Sequence, residues 1–165
     1  MTAQQIVEQL GLQLHPEGGF YKEVYRSSGS IAANALPSSF NGNRAFSTSI
    51  YYLLNQGDYS GFHRIKSDEG WHFYAGGSLL IHCLSETDGY KCLRLGNDLR
   101  NGESFQKVVP AGVWFASEPA PGTAFTLAGC TVSPGFDFKD FEMARKEVLL
   151  QCFPQQQELI ARLCR

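Results

Sequence analysis

The chain has 165 residues, enough for one domain with a sizeable core, and a formal net charge of -2 with acids and bases interspersed. No basic run is present, which excludes the electrostatic footprint of a nucleic-acid binder. Nothing approaches about eighteen consecutive apolar residues, and the start TAQQIVEQLG is too polar for a signal peptide, so no membrane association and a cytoplasmic location are expected.

Aromatic residues make up 13% of the chain and charged residues only 18%, a balance that suits a sandwich packed with Phe, Tyr and Trp. Surplus aromatic surface points to a second copy as partner, and a homodimer is expected. Cys83, Cys92, Cys130, Cys152 and Cys164 are odd in number, widely spaced and free of C-x-x-C pairs. That pattern argues against a disulfide framework or a zinc knuckle and for small buried hydrophobes in a reducing compartment.

In chain order, Thr2 is placed to cap a short helix with Ile6, Val7 and Leu10 at helical spacing, ended by Gly11. Pro16-Glu17-Gly18-Gly19 is a turn, with His15 as a turn residue, and FYKEVYR (Phe20 to Arg26) alternates as a strand. Its Tyr21 and Glu23 side either lines a cavity mouth or belongs to a half-exposed edge strand. Gly29 to Arg44 carries no sustained period and reads as a loop. FSTSIYYLLN (Phe46 to Asn55) reads as a buried strand.

Leu79 to Glu86 and Tyr90 to Gly96 are strands joined at Thr87-Asp88-Gly89, where Asp-Gly signals a hairpin. His82, between Leu80 and Leu84, reads as a hydrogen-bonded structural histidine. Further strands are expected at Phe105 to Val109, Val113 to Glu118 and Ala124 to Ser133. After the break at Pro134-Gly135, Asp140 is expected to cap a helix carrying Phe141, Ala144, Val148, Leu149 and Cys152 on one face. Pro154 opens a last helix bearing Leu159, Ile160 and Leu163. PGFDF (Pro134 to Phe138) reads as a pin between sandwich and helix.

The chain is organised around GDYSGFHRIKSDEGWHFYAGG (Gly57 to Gly77), which reads as strand, tight turn, strand. Residues two apart on a strand face one side, so His63 and Ile65 point together into one cavity, and Glu69 returns beside them from the next strand. Trp71 and Phe73 alternate with His72 and Tyr74, one pair in the core and the other on the sheet surface. By the same parity Arg64 points away from His63.

The spacing from Gly57 through His63, Ile65 and Glu69 to Gly76 resembles the first cupin motif, G-x5-H-x-H-x3-E-x6-G, with Ile65 in place of the second histidine. The second motif is matched in part: Pro110 and Gly112 are in place, whereas Ser104, Phe115 and Pro119 replace its glycine, histidine and asparagine. HPEGGFYKEVYR, SIYYLL, HRIKSDEGWHFYAGG, VVPAGVWF and GCTVSPGFDFKDFE are similar to the cupin branch known as a domain of unknown function. The resemblance spans most of the chain. It implies an all-β cupin double-stranded β-helix, a jelly-roll barrel with short helices at both ends, as a single domain over 1–165. In it, 1–11 is the N-terminal helix, 20–133 the barrel and 137–165 the C-terminal helices.

Most cupins hold a divalent metal through three His and one Glu, and only His63 and Glu69 stand at those places here. His72 would serve as a third ligand only if a bulge at Gly70 reversed its facing. The resemblance therefore implies three readings. The first is a metal-independent sugar or nucleotide-sugar isomerase or epimerase, as in the dTDP-sugar 3,5-epimerases, which the chain resembles in fold and in a strand histidine followed by Arg or Lys. In that reading His63 is the general base and Glu69 its partner. Tyr52, Tyr59 and Tyr74 are candidate acids, and Tyr52, Arg64, Trp71, His72, Phe73 and Phe115 are candidate ligand-binding residues. The second is a storage or sensory cupin that only binds a small molecule, and the third is a metal-dependent enzyme.

Overall fold

Short runs of alternating side chains, cut by turns rich in glycine and proline, give the chain thirteen strands in a computed structural model that describes all residues Met1–Arg165. The first seven are β1 (Gln13–Leu14), β2 (Phe20–Arg26), β3 (Ser30–Ile31), β4 (Arg44–Ala45), β5 (Thr48–Asn55), β6 (Ser60–Arg64) and β7 (Asp68–Gly76). The rest are β8 (Leu79–Ser85), β9 (Gly89–Leu95), β10 (Gln106–Val109), β11 (Trp114–Pro119), β12 (Phe125–Ser133) and β13 (Glu142–Met143). Helix α1 (Ala3–Leu10) opens the chain, and α2 (Lys146–Cys152) and α3 (Gln157–Leu163) close it. None of these helices is long and apolar enough to cross a membrane.

One sheet runs β1-β2-β5-β12-β7-β10, the second β13-β6-β11-β8-β9, and β3-β4 form a separate pair. This is the expected all-β jelly roll with short terminal helices. Its main core lies between the sheets, where Tyr52, Leu54, Trp71, Ile81, Leu95 and Phe115 are buried together. β5 reads as a continuous apolar run because both of its faces are covered. Leu54 faces the interior, whereas Leu53 is buried under α1 with Ile6 and Leu127. Thr2 caps α1 through a reciprocal bond pair with Gln5, and Gly11 ends it in the left-handed conformation at φ 63°. At the other end, α2 and α3 bury Leu149, Ile160 and Leu163 against Phe62, Leu84 and Ala116 of the second sheet.

Three expectations are corrected. β6 and β7 are not a hairpin: β6 pairs with β11 and β13, and β7 pairs with β12 and β10. The chain passes from one sheet to the other at Ile65–Ser67, so His63 and Glu69 meet across the sandwich rather than along a ladder. Residues 137–165 are not all helical, because Glu142 and Met143 form β13 opposite Arg64 and His63. Asp140 caps no helix. It ends a short 3-10 turn, and α2 begins only at Lys146.

Asp140 instead anchors the segment read as a loop. Arg44 is 3% exposed and donates to both carboxylate oxygens of Asp140, Nε at 2.5 Å and Nη2 at 2.7 Å. Its Nη1 donates to the carbonyls of Asn41, Gly42 and Asn43. One guanidinium thereby fastens the 29–44 excursion to the strand that leaves the cavity. A buried bidentate pair of this kind costs more to break than it contributes when made, because the survivor is left charged and unpaired. Asp140→Ala is expected to destabilise the fold by about 3 kcal/mol in urea denaturation, far more than Glu142→Ala, whose ion pair with Arg64 is exposed.

Candidate functional site

The site starts from the turn His15-Pro16-Glu17-Gly18-Gly19. Gly18 and Gly19 have φ of 112° and 72°, and a Cβ on either would run into backbone, Tyr59 O at 2.2 Å and Leu53 O at 2.7 Å. Only glycine lets this turn press so close to its neighbours. Its other bonds pin it there. Tyr52 Oη donates to Gly18 O at 2.6 Å, Gly61 N to Glu17 O at 2.9 Å, and Glu17 N to His15 Nδ1 at 3.2 Å. The consequence is that Glu17 points inward, 6% exposed, instead of into solvent.

It meets His63 of β6. Glu17 Oε2 lies 3.1 Å from His63 Nε2, while His63 Nδ1 lies 2.8 Å from Gly61 O. A carbonyl only accepts, so Nδ1 carries the ring proton and Nε2 presents a lone pair to the carboxyl group. Nε2 and Oε2 stand at ion-pair distance without an aligned hydrogen bond between them. Burial lowers the His63 pKa to about 4 and raises that of Glu17, so it works against charge on either group. Phe115 and Phe141 flank the imidazole, with ring centroids 4.1 and 5.2 Å away. His15, its Nδ1 already accepting from the Glu17 amide, is likewise held neutral by burial, against the pull of Glu17.

Around this pair lies a cavity of about 360 Å³ lined by residues of both sheets, the N-terminal turn and the segment after β12. Glu69 enters it from β7, 8% exposed, with burial and then the nearby Glu17 raising its pKa to about 8. No N–H or O–H bonds to its carboxyl group; the Cys130 thiol is its neighbour. Tyr21, Glu23 and Arg26 of β2 line the mouth. Arg26 shares a side with Glu23 because a bulge between Glu23 and Tyr25 shifts the pairing with β5. It bonds Glu23 twice, at 3.0 and 2.7 Å, and Phe136 O at 3.1 Å. Phe136, Phe138 and Phe141 complete the rim, so PGFDF is part of the cavity as well as a connection.

Of the residues singled out in the sequence, His63 and Glu69 line this cavity, but the partner of His63 is Glu17. Tyr52, Trp71, Phe73 and Phe115 belong to the packed core beside it and do not line it. Arg64 turns outward, bonding Glu142 at 2.8 Å and stacking on Trp114. His72 is on the outer face, 3.2 Å from Thr131 Oγ1, because β7 is regular at Gly70. Its bulge comes later, opposite Leu127 and Ala128, and Tyr74 is half-exposed against Tyr51. Tyr59 stacks under Arg165. His82 is a structural histidine, bonded to Tyr90 Oη at 2.9 Å and Glu118 at 3.1 Å. His15 and Glu17 are the residues the sequence reading left in a turn. The signal was an imidazole and an acid held in a turn whose two glycines force a close backbone approach.

A cupin metal centre does not fit these donors. Ile65 and Phe115 fill two ligand places, and both nitrogens of His63 are engaged by Gly61 and Glu17. No three His, Cys, Asp or Glu side chains are arranged to hold a metal ion.

Residues 4–144 match the family described as Cupin superfamily (DUF985). An uncharacterized protein of Saccharomyces cerevisiae is 32% identical over 164 residues, covering 88% of this chain and 77% of the yeast protein. A protein from Shewanella oneidensis has a similar structure at 41% identity and TM-score 0.88, covering 100% of this chain and 98% of its own. A hypothetical protein from Leishmania major matches at 33% identity and TM-score 0.89 over 99% of both chains. Oxalate decarboxylase from Bacillus subtilis shares only the fold, at 18% identity and TM-score 0.54 over 91% of this chain and 36% of its own. With a family match over most of its length and relatives above 30% identity along nearly all of it, the chain belongs to the cupin superfamily, in its DUF985 family.

Proposed function

We propose that the cavity is a metal-independent proton-transfer site, acting as an isomerase or epimerase on a small sugar or related hydroxy-carbonyl compound. The observation that carries this reading is the 3.1 Å approach of Glu17 Oε2 to His63 Nε2 in a cavity that also holds the buried carboxyl group of Glu69. Two acid groups with different environments are what an exchange of protons next to a carbonyl requires. Glu69, when ionised, takes the C–H proton, and the electron pair of that bond moves onto the carbonyl oxygen. Glu17 supplies a proton to that oxygen. Return of a proton to the same carbon from the opposite face completes an epimerisation, and return to the neighbouring carbon an isomerisation; in each case an enediol O–H proton goes back to Glu17 as the carbonyl re-forms, with no net change in atoms.

His63 then acts with Glu17 rather than alone as the base expected from the sequence. Its ring lies between Phe115 and Phe141, and its Nε2 stands 3.1 Å from Glu17 Oε2, where it can receive a proton from or return one to that carboxyl group. The phenyl rim favours a second reading, in which the same cavity only retains a ligand. The two separate in one measurement, deuterium incorporation from D2O into a panel of ketoses followed by NMR. Wild type is expected to incorporate label, and Glu17→Gln, His63→Ala and Glu69→Gln each to slow it by roughly 100-fold or more. A cavity that only binds incorporates nothing, and the substitutions change affinity alone.

The state of Glu69 is open to a separate check. The folded protein keeps its proton up to about pH 8, whereas an ordinary glutamate loses it near 4.5. Folding therefore takes up a proton in that window, and stability falls as pH rises through it. His63, neutral down to about 4 when folded against 6.5 unfolded, contributes the opposite slope below 6.5. The Glu69 decline is thus unopposed by His63 above 6.5, where it amounts to about 2 kcal/mol by pH 8. In chemical denaturation across this range, wild type is expected to lose stability relative to Glu69→Gln by that amount.

A further inference from the structure

We propose that the compound held in this cavity carries a positive charge: a small amine-bearing molecule, an amino sugar in the reading above, and not a phosphorylated or nucleotide-linked one. The proposal rests on the cavity being the functional site, and it concerns what is recognised rather than what reaction follows.

The charges around the cavity decide it. Glu17, Glu23, Glu69 and Asp137 line it, against one permanent cation, Arg26. That cation is already committed, with its fork closed on Glu23 and its Nη1 on Phe136 O. The two imidazoles offer an anion no charge: His63 Nε2 faces Glu17, and His15, whose Nδ1 accepts from an amide, presents one neutral N–H at Nε2. Arg165, whose charge reaches Glu17 from outside the lining, bonds Tyr59 O and stacks on its ring. A phosphate entering here would meet carboxyl groups and no free guanidinium or ammonium group. For its lost hydration it would gain no opposite charge and, from the imidazoles, only the one neutral N–H of His15.

A cation meets the reverse. Glu69 is more than nine-tenths buried and lines the cavity, and its one hydrogen-bond partner is the weakly donating thiol of Cys130. Phe136, Phe138 and Phe141 contact one another edge to face, at 5.0 to 6.2 Å between centroids, and put aromatic surface at the entrance with Asp137 between them. Aromatic faces beside a carboxylate attract ammonium groups. The volume, about 360 Å³, is near the small end of ligand sites and leaves no room for a nucleotide in addition to a sugar.

Binding of a cation should be coupled to a proton. In the free protein Glu69 faces only neutral or like-signed groups: Glu17 from the turn, Cys130 from β12 and neutral His63 from β6. An ammonium group arriving beside it favours the carboxylate, so the Glu69 proton leaves and affinity rises with pH while the amine stays protonated.

The experiment is isothermal titration of the full chain with glucosamine, glucose and glucose 6-phosphate, at about pH 6.5, in two buffers of different ionisation heat. Glucosamine is expected to bind about tenfold or more tighter than glucose, with glucose 6-phosphate no better than glucose. Glucosamine should release close to one proton, and glucose none. Glu69→Gln should abolish the release. Glu23→Gln, a change at the half-exposed mouth that keeps the fold testable if Glu69→Gln does not fold, should free Arg26 and improve glucose 6-phosphate at the expense of glucosamine. Glucosamine binding no tighter than glucose, or glucose 6-phosphate binding best, overturns the proposal. Deuterium exchange tests the reaction separately: amine preference without exchange removes catalysis alone, and exchange without amine preference removes this inference alone.

Discussion

The contact between Glu17 and His63 joins the N-terminal turn to the second sheet, and the organisation of the cavity depends on it. Burial works against charge on both the carboxyl and the imidazole, lowering the pKa of His63 and raising that of Glu17. Gly18 and Gly19 permit the approach, the Gly61 carbonyl sets the tautomer, and Phe115 and Phe141 cover the ring. Each contribution comes from a different part of the chain. The contact is therefore a property of the folded sandwich and has no counterpart in any local segment.

The same constraint explains what replaces a metal in this cupin. At the two places where the family pattern would put further histidines stand Ile65 and Phe115, both buried. Apolar side chains there deprive the remaining donors of partners and of water together. The chemistry left to Glu17, His63 and Glu69 is the chemistry of protons whose positions are set by burial. Holding the cavity shut then falls to pairs of side chains around it. Arg44 and Asp140 fix the 29–44 excursion next to the strand that leaves β12, and Arg26 ties β2 to Phe136 at the rim.

Much of the frame was legible because it follows from local rules. Period-two alternation put Glu69 and Trp71 on one face and His72 on the other, and the same parity sent Arg64 outward. The Thr2 cap, the Gly11 stop and the Asp88-Gly89 hairpin are short-range chemistry. What escaped was long-range or irregular. Glu17 and His63 lie in different elements and meet only when the sheets stack, so a motif containing His63 and Glu69 drew attention to the wrong carboxyl group. The reading of β6 and β7 as a hairpin failed because adjacency in sequence does not reveal a crossing between sheets. Arg26 lies on the cavity side only through a bulge, which alternation cannot anticipate. Asp140 had the look of a helix cap, and its real partner, Arg44, was in a segment with no pattern.

These irregular features give the cavity its selectivity. Had β2 continued without its bulge, Arg26 would have faced the opposite side from Glu23, and the mouth would have shown an unopposed acid. With the bulge, acid and base neutralise each other at the rim, so the charge preference is decided deeper, by Glu69. A carboxyl group kept neutral by burial is a weak attractant until a cation arrives and draws off its proton. Neutral molecules of the right size meet no electrostatic barrier, anions find no free cation to receive them, and a cation meets an acceptor that ionises in response. Selectivity of that kind depends on the dryness of the cavity, and the packing of both sheets around Glu17 and His63 maintains it.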